Sequence, residues 1–153
     1  VFDNALLDLF QAKVIGVDQS AGMLRAARKR LGAAGLTNVE LRQGDLEALP
    51  LDDESCDAAL ILLVLTYVAD PPAALRQAAR VLKTGGQLVL VDLLRHDRDD
   101  FRRQMGQRCL GFEPAELDKM LTAAGFTNVR CRPLPPEPHA KGPALLLATG
   151  TRN

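Results

Sequence analysis

The 153-residue sequence predicts an α/β fold: a doubly wound, mainly parallel sheet flanked by helices and closed by a C-terminal antiparallel hairpin. Three observations carry that reading. Short apolar runs alternate with segments of helical periodicity, the pattern of strands joined by crossover helices. Several of those runs end on an acid immediately before a turn or a helix start. The last two runs follow one another with no helix between them, so they can pair as a hairpin.

In chain order, Asn4 caps a short helix over Ala5–Gln11, with the leucines and Phe10 on one face. Lys13–Asp18 is a short buried strand ending in an acid. Ser20 caps a helix over Ala21–Leu31, in which Met23, Leu24, Ala27 and Leu31 recur at helical spacing and basic residues lie opposite. Gly32 and Gly35 stop it. Val39–Arg42 is the next strand and runs into Gly44-Asp45. Leu46–Ser55 is turn-rich, and Asp57–Leu63 reads as a fully buried strand. Asp70-Pro71-Pro72 opens a helix with proline in its first turn, and Ala74, Leu75, Ala78, Ala79 and Leu82 face inward. Thr84-Gly85-Gly86 ends that helix and turns into the strand Gln87–Asp92, another apolar run closing on an acid. Arg95–Gln107 is a charge-rich, solvated helix face. Glu113–Ala124 is an amphipathic helix closed by Gly125. The strands Asn128–Arg132 and Ala144–Thr149 are joined by a proline-rich, stiff loop. No internal repeat or domain boundary interrupts residues 1–153, which read as one domain.

Composition removes several function classes. Nineteen basic residues balance nineteen acidic ones, which gives no electrostatic reason to expect nucleic acid or an anionic membrane as partner. Aromatic residues make up 4% with no Trp, too few for a base-stacking platform. The longest apolar run, Ala58–Val68, falls short of the roughly 20 residues a membrane span needs. No signal peptide is legible, so a cytoplasmic location is expected. Cys56, Cys109 and Cys131 are far apart, and no Cys/His cluster has metal-site spacing; three reduced thiols are expected, with no bound metal.

Parallel α/β sheets bind ligands at the carboxyl ends of their strands. Asp18 stands at such an end, in VIGVDQS, where a carboxylate can accept both hydroxyls of a ribose; it can equally be an acid drawn to the dipole of the following helix. Asp45, in RQGDLEALP, follows the next strand. It can accept from an exocyclic amine such as adenine's while the Leu46 amide donates to a ring nitrogen, or it can be a turn acid bonding its own backbone. Together, on adjacent strands, the two favour an adenosine pocket. Tyr67 follows the third strand and either lines the pocket or packs beneath a helix. His96, after the next strand, is either a general base or a solvated residue of the charge run. Gly85 and Gly86 read as a helix stop, not a phosphate cradle.

The segments VIGVDQSAGMLRAARKR, LRQGDLEALPLDDESCDAAL and RVLKTGGQLVLVD resemble successive motifs of class I S-adenosylmethionine-dependent methyltransferases, of the type 11-like group, in order and spacing. The resemblance covers nearly the whole chain and implies a Rossmann-like sheet with S-adenosylmethionine as cofactor. It implies that Asp18, with Gln19 beside it, holds the cofactor ribose and that Met23 packs near it. Gly44, Asp45 and Leu46 would contact the adenine, and Leu63 would lie beneath the sulfonium. HDRDDFRRQMGQRCLGFEPAEL, AGF and the terminal LLLATGTR look more narrowly like methyltransferase domains fused behind winged-helix regulators of the arsenic-repressor type.

The resemblance also exposes a departure. The family's first strand and GxGxG turn should precede the helix at Ala5–Gln11, where only Val1-Phe2-Asp3 stands, and no glycine comes before Gly16. An N-terminally incomplete domain is therefore expected. Without that central strand, the strands ending at Asp18 and Leu63 would pair directly or leave a gap in the core. Methyl transfer to a small-molecule acceptor is the expected activity. A degenerate domain kept for regulation or dimerisation and a nicotinamide-dependent oxidoreductase are the alternatives; homodimer formation is left open.

Overall fold

The computed structural model describes residues 12–135, 139 and 141–153, so the helix expected over Ala5–Gln11 lies outside the described residues. Within them the chain follows two units, Val1–Pro50 and Leu51–Asn153.

In the first unit, strand β1 (Val14–Asp18) pairs in parallel with strand β2 (Val39–Gln43), in a register that sets Val14 against Val39 and Asp18 against Gln43. Between them runs helix α1 (Ala21–Ala33), started by Ser20, whose hydroxyl accepts from the Met23 amide at 3.2 Å. The helix does not stop at Gly32. It carries that glycine, at a cost of about 1 kcal/mol relative to alanine, and ends where Gly35 takes a left-handed φ of +67°. At Gly44 the chain turns so tightly that a Cβ would come within 2.5 Å of Pro50 Cδ. Only glycine fits there.

The second unit holds a four-stranded sheet in the order β3-β4-β6-β5. Strand β3 (Cys56–Leu62) and strand β4 (Leu82–Leu93) are parallel, while β6 (Leu145–Arg152) is antiparallel to both β4 and β5 (Phe126–Pro133). The expected terminal hairpin is thus present, with β6 inserted beside β4. Helix α2 (Pro71–Val81) is capped by Asp70, which accepts from the Ala73 amide at 3.0 Å. It passes into β4 without a loop. Thr84-Gly85-Gly86 therefore lies inside the strand instead of ending the helix: the pairing jumps from Cys56–Leu82 to Ala58–Gln87, and Gly85 (φ +79°) absorbs the extra residues as a bulge. Helix α3 (Asp99–Met105) buries no residue, but Phe101 and Arg102 are half-buried and Gln107 beyond it is buried, so the charge run is solvated only in part. Helix α4 (Pro114–Ala123) is followed by Gly125 at φ +100°.

The core of this unit is built by alternation. Leu88 and Leu90 of β4, Leu146 and Ala148 of β6, Leu75 and Ala78 of α2, and Leu117 and Leu121 of α4 are all buried. Strand β3 departs from expectation. It is not fully buried: Ile61 is, but Leu60 is 63% and Leu62 50% exposed. Its period-2 alternation puts Ile61 on the covered face and the two leucines on the other, where Val89, opposite Leu60, is exposed as well. Among the described residues β3 has one strand neighbour, so a pattern suited to a central strand occupies a sheet edge. No helix of the described residues is long and apolar enough to cross a membrane.

Candidate functional site

In the first unit the parallel register brings the two predicted carboxylates to the same end of the sheet. Asp18 is the last residue of β1, and its carbonyl accepts from the Gly44 amide at 3.2 Å, one residue before Asp45. Gln43 Nε2 donates to the Gln19 carbonyl at 3.1 Å and ties the two strand ends together. Each carboxylate spends one oxygen on its own turn: Asp18 Oδ1 accepts from Ser20 N at 2.7 Å, and Asp45 Oδ1 from Glu47 N at 2.9 Å. The Oδ2 atoms accept no hydrogen bond among the described residues. Both alternatives weighed for these acids are therefore compatible, since a turn acid keeps a second oxygen for a ligand. Asp18 is half-buried and Asp45 exposed. Met23, in the first turn of α1, is 55% exposed, and Leu46 is half-buried.

In the second unit Leu63 follows β3 with a left-handed φ of +52°, its amide donating to Val91 O at 2.8 Å. A bulky residue in that region is strained, and it re-aims the chain into a 3₁₀ turn, Leu65–Tyr67. Tyr67 is half-buried at the turn's end, and its carbonyl accepts from Arg108 Nε at 3.1 Å. The segment from Gln107 to Phe112 links this turn to the end of β4: Arg108 N donates to Thr66 O (2.9 Å), His96 N to Leu110 O (2.9 Å), and Phe112 bridges Leu94. Gly111 makes this closeness feasible, for at φ +86° its Cβ would lie 2.6 Å from Leu93 O.

His96 is not a fully solvated member of the charge run. It is half-buried, its ring meets Phe101 edge-on at 6.0 Å, and its Nδ1 accepts from the Arg98 amide at 3.1 Å. Burial and the Arg98 charge lower its pKa, against a weaker pull from Asp97. With the Nδ1 lone pair engaged, the neutral ring carries its proton on Nε2, which is buried and has no partner among the described residues. That tautomer donates a hydrogen bond and does not abstract a proton.

One polar residue of this edge escaped the sequence reading of sites. Asp92 is completely buried, and burial raises its pKa against the opposing pull of the Leu93, Thr66 and Leu65 amides. The Thr66 hydroxyl lies near enough to favour its charge, although that hydroxyl has no partner in hydrogen-bond geometry among the described residues. The visible signal was an apolar run closing on an acid. Cys56, Cys109 and Cys131 are free and half-buried. Burial pushes Cys109 up and Cys131 up to about 11, so neither is a thiolate nucleophile at neutral pH. Among the described residues no group of three His, Cys, Asp or Glu could hold a metal ion.

A family described as a methyltransferase domain matches residues 2–90. A ubiquinone/menaquinone biosynthesis C-methyltransferase of Syntrophotalea carbinolica is 45% identical over 83 residues, which is 54% of this chain and 34% of that protein. A demethylmenaquinone methyltransferase of Clavibacter sepedonicus is 40% identical over 89 residues, 58% of this chain and 36% of that protein. The chain thus spans about a third of the length of these relatives. Among solved structures, a SAM-dependent methyltransferase of Thermotoga maritima superposes with a TM-score of 0.69 at 27% identity, covering 90% of this chain and 72% of that one. The [4+2]-cyclase SpnF superposes at 0.78 with 20% identity, covering 96% and 69%, a likeness of fold alone.

Proposed function

We propose, from the premise that this chain belongs to the methyltransferase domain family, that it takes part in methyl transfer from S-adenosylmethionine to a small-molecule acceptor. S-adenosylmethionine is the cofactor that the family and the Rossmann-like fold imply. The carrying observation is the parallel β1-β2 register, which puts Asp18 and Asp45 at the same strand ends, each with one carboxylate oxygen that accepts nothing among the described residues. That arrangement suits an adenosine: Asp18 would accept from the ribose hydroxyls, with Gln19 and Met23 beside it. Gly44, Asp45 and Leu46 would meet the adenine; in the second unit, family membership alone assigns Leu63 to the sulfonium. Bound there, the cofactor supplies a methyl carbon already activated by the sulfonium charge. The chain's own task is to align the acceptor and exclude water, effects worth about 7–11 kcal/mol in favourable cases.

Of the two weak catalytic candidates, Tyr67 stands at the carboxyl edge of β3 with its ring half-buried, suited to lining an acceptor pocket. His96 suits a donor that orients a polar acceptor better than a base. The segment His96–Leu117 supports a narrower kinship with methyltransferase domains behind winged-helix regulators. A soluble cytoplasmic enzyme with no nucleic-acid contact by this domain is consistent with the balanced charge.

Calorimetric titration with S-adenosylhomocysteine tests the reading. A charge-assisted hydrogen bond is worth about 1.5–3 kcal/mol, so Asp18→Ala should weaken binding roughly ten- to hundredfold. Unchanged affinity would remove Asp18 from the site. Displacement of the ligand by NADH would favour the oxidoreductase alternative, and absence of binding by the folded wild-type chain the non-catalytic one.

A further inference from the structure

Asp92 continues the inward-facing row of β4 that begins with the buried Leu88 and Leu90. A leucine at that position would serve packing alone, because burying a carboxyl costs free energy that only its hydrogen bonds offset. Those bonds go to backbone. Oδ1 accepts from Leu93 N at 2.8 Å; Oδ2 accepts from Leu65 N at 2.7 Å and Thr66 N at 3.3 Å. No described cation forms an ion pair with it, and its charge acts on the Cys109 thiol.

The two distant amides open the 3₁₀ turn Leu65–Tyr67, and the leading amides of any such turn have no carbonyl partner within it. From the other side Arg108 donates to the Thr66 and Tyr67 carbonyls. The turn is therefore gripped by its amides at Asp92 and by its carbonyls at Arg108. We propose that Asp92 is a positioning residue, whose carboxylate fixes the turn Leu65–Tyr67 by its two leading amides and so sets where Leu63 and Tyr67 stand at the carboxyl edge of β3. Its bearing on the reaction rests on the methyl-transfer reading of that edge.

Amide hydrogen exchange and S-adenosylhomocysteine titration on the full chain test this with Asp92→Leu, which keeps the forked shape but is bulkier and removes the acceptors, and Asp92→Asn, which keeps one acceptor and nearly the same volume. In the wild type the Leu65 and Thr66 amides should be protected to within about tenfold of Leu90 in β4. Asp92→Leu should cost these two amides at least about tenfold in protection while Ala148 and Thr149 in β6 keep theirs. It should also weaken S-adenosylhomocysteine binding several-fold, and Asp92→Asn should restore most of both. Tyr67 is the chain's single tyrosine and there is no Trp, so acrylamide quenching of its emission should rise in Asp92→Leu. Free exchange of Leu65 and Thr66 in the wild type overturns the proposal even if Asp92→Leu fails to fold. Uniform loss of protection across the unit, or ligand affinity unchanged in Asp92→Leu, overturns it as well. If the wild type binds no S-adenosylhomocysteine, the methyl-transfer reading fails, while exchange and quenching still decide whether Asp92 holds the turn.

Discussion

Burial holds the Asp92 carboxyl above its ordinary range, and the sign of the resulting pH dependence follows from proton linkage. Between the unfolded value, about 3.9, and the raised folded one, the native state keeps a proton that the unfolded chain has released. Stability from this group is fully present below the unfolded value and is lost as pH rises through the folded one. Glu40 and Asp99 run the other way: hydrogen bonds from Arg42 and Arg102 hold them low, but both are solvent-exposed and their effect is screened. Urea midpoints should therefore show the wild type gaining on Asp92→Asn as pH falls from about 7 to about 4. A difference flat across that range would mean that folding leaves the Asp92 pKa where it was. Single residues were legible in unequal measure. Asp18 and Asp45 could be read as strand-end acids because their strands and turns are local. Asp92 could not be read as a turn holder, since the amides it serves lie 27 and 26 residues earlier in the chain. The half-burial of His96 was illegible for a similar reason: the Phe101 ring and the Arg98 amide that occupy it come from the fold of the charge run, not its composition.

At the scale of elements, caps and periodicity set most boundaries. Ser20 and Asp70 start α1 and α2 where the sequence places them, and Pro114 opens α4 behind Glu113. Removing the Asp70 cap by Asp70→Ala should cost about 1 kcal/mol, read as a lowered urea midpoint with unchanged slope. No loss would show that Pro71 and Pro72 fix the helix start unaided. Two elements ended elsewhere than expected. Gly32 failed to stop α1 because a single glycine costs a helix less than its remaining turn contributes, whereas a left-handed residue at Gly35 closes it. The Thr84-Gly86 stretch looked like a helix stop because glycine pairs punctuate many helices. Here α2 had already ended at Val81, and the glycines serve a bulge that lets β4 resume pairing with β3 at Gln87.

At the scale of the whole molecule, the order of strands and helices, the parallel pairs and the terminal hairpin were legible from alternation alone. Which faces of the sheet would be covered was not, because coverage depends on neighbours that a strand's own sequence does not encode. The β3 strand makes this concrete: an apolar run fit for an interior has one strand neighbour among the described residues, with Leu60 and Leu62 exposed beside Val89. Among the described residues no strand pairs along its other side, and an edge of that kind is a template for another extended chain. Concentrated solutions should consequently cloud on standing, most readily near the isoelectric pH of about 6.9, where net charge no longer keeps the molecules apart. Leu62→Lys would place a repelling charge on that face, and light scattering should then stay flat with time. Scattering that grows equally in both proteins would clear β3 of blame, whereas a flat trace makes one lysine the practical route to keeping this chain in solution.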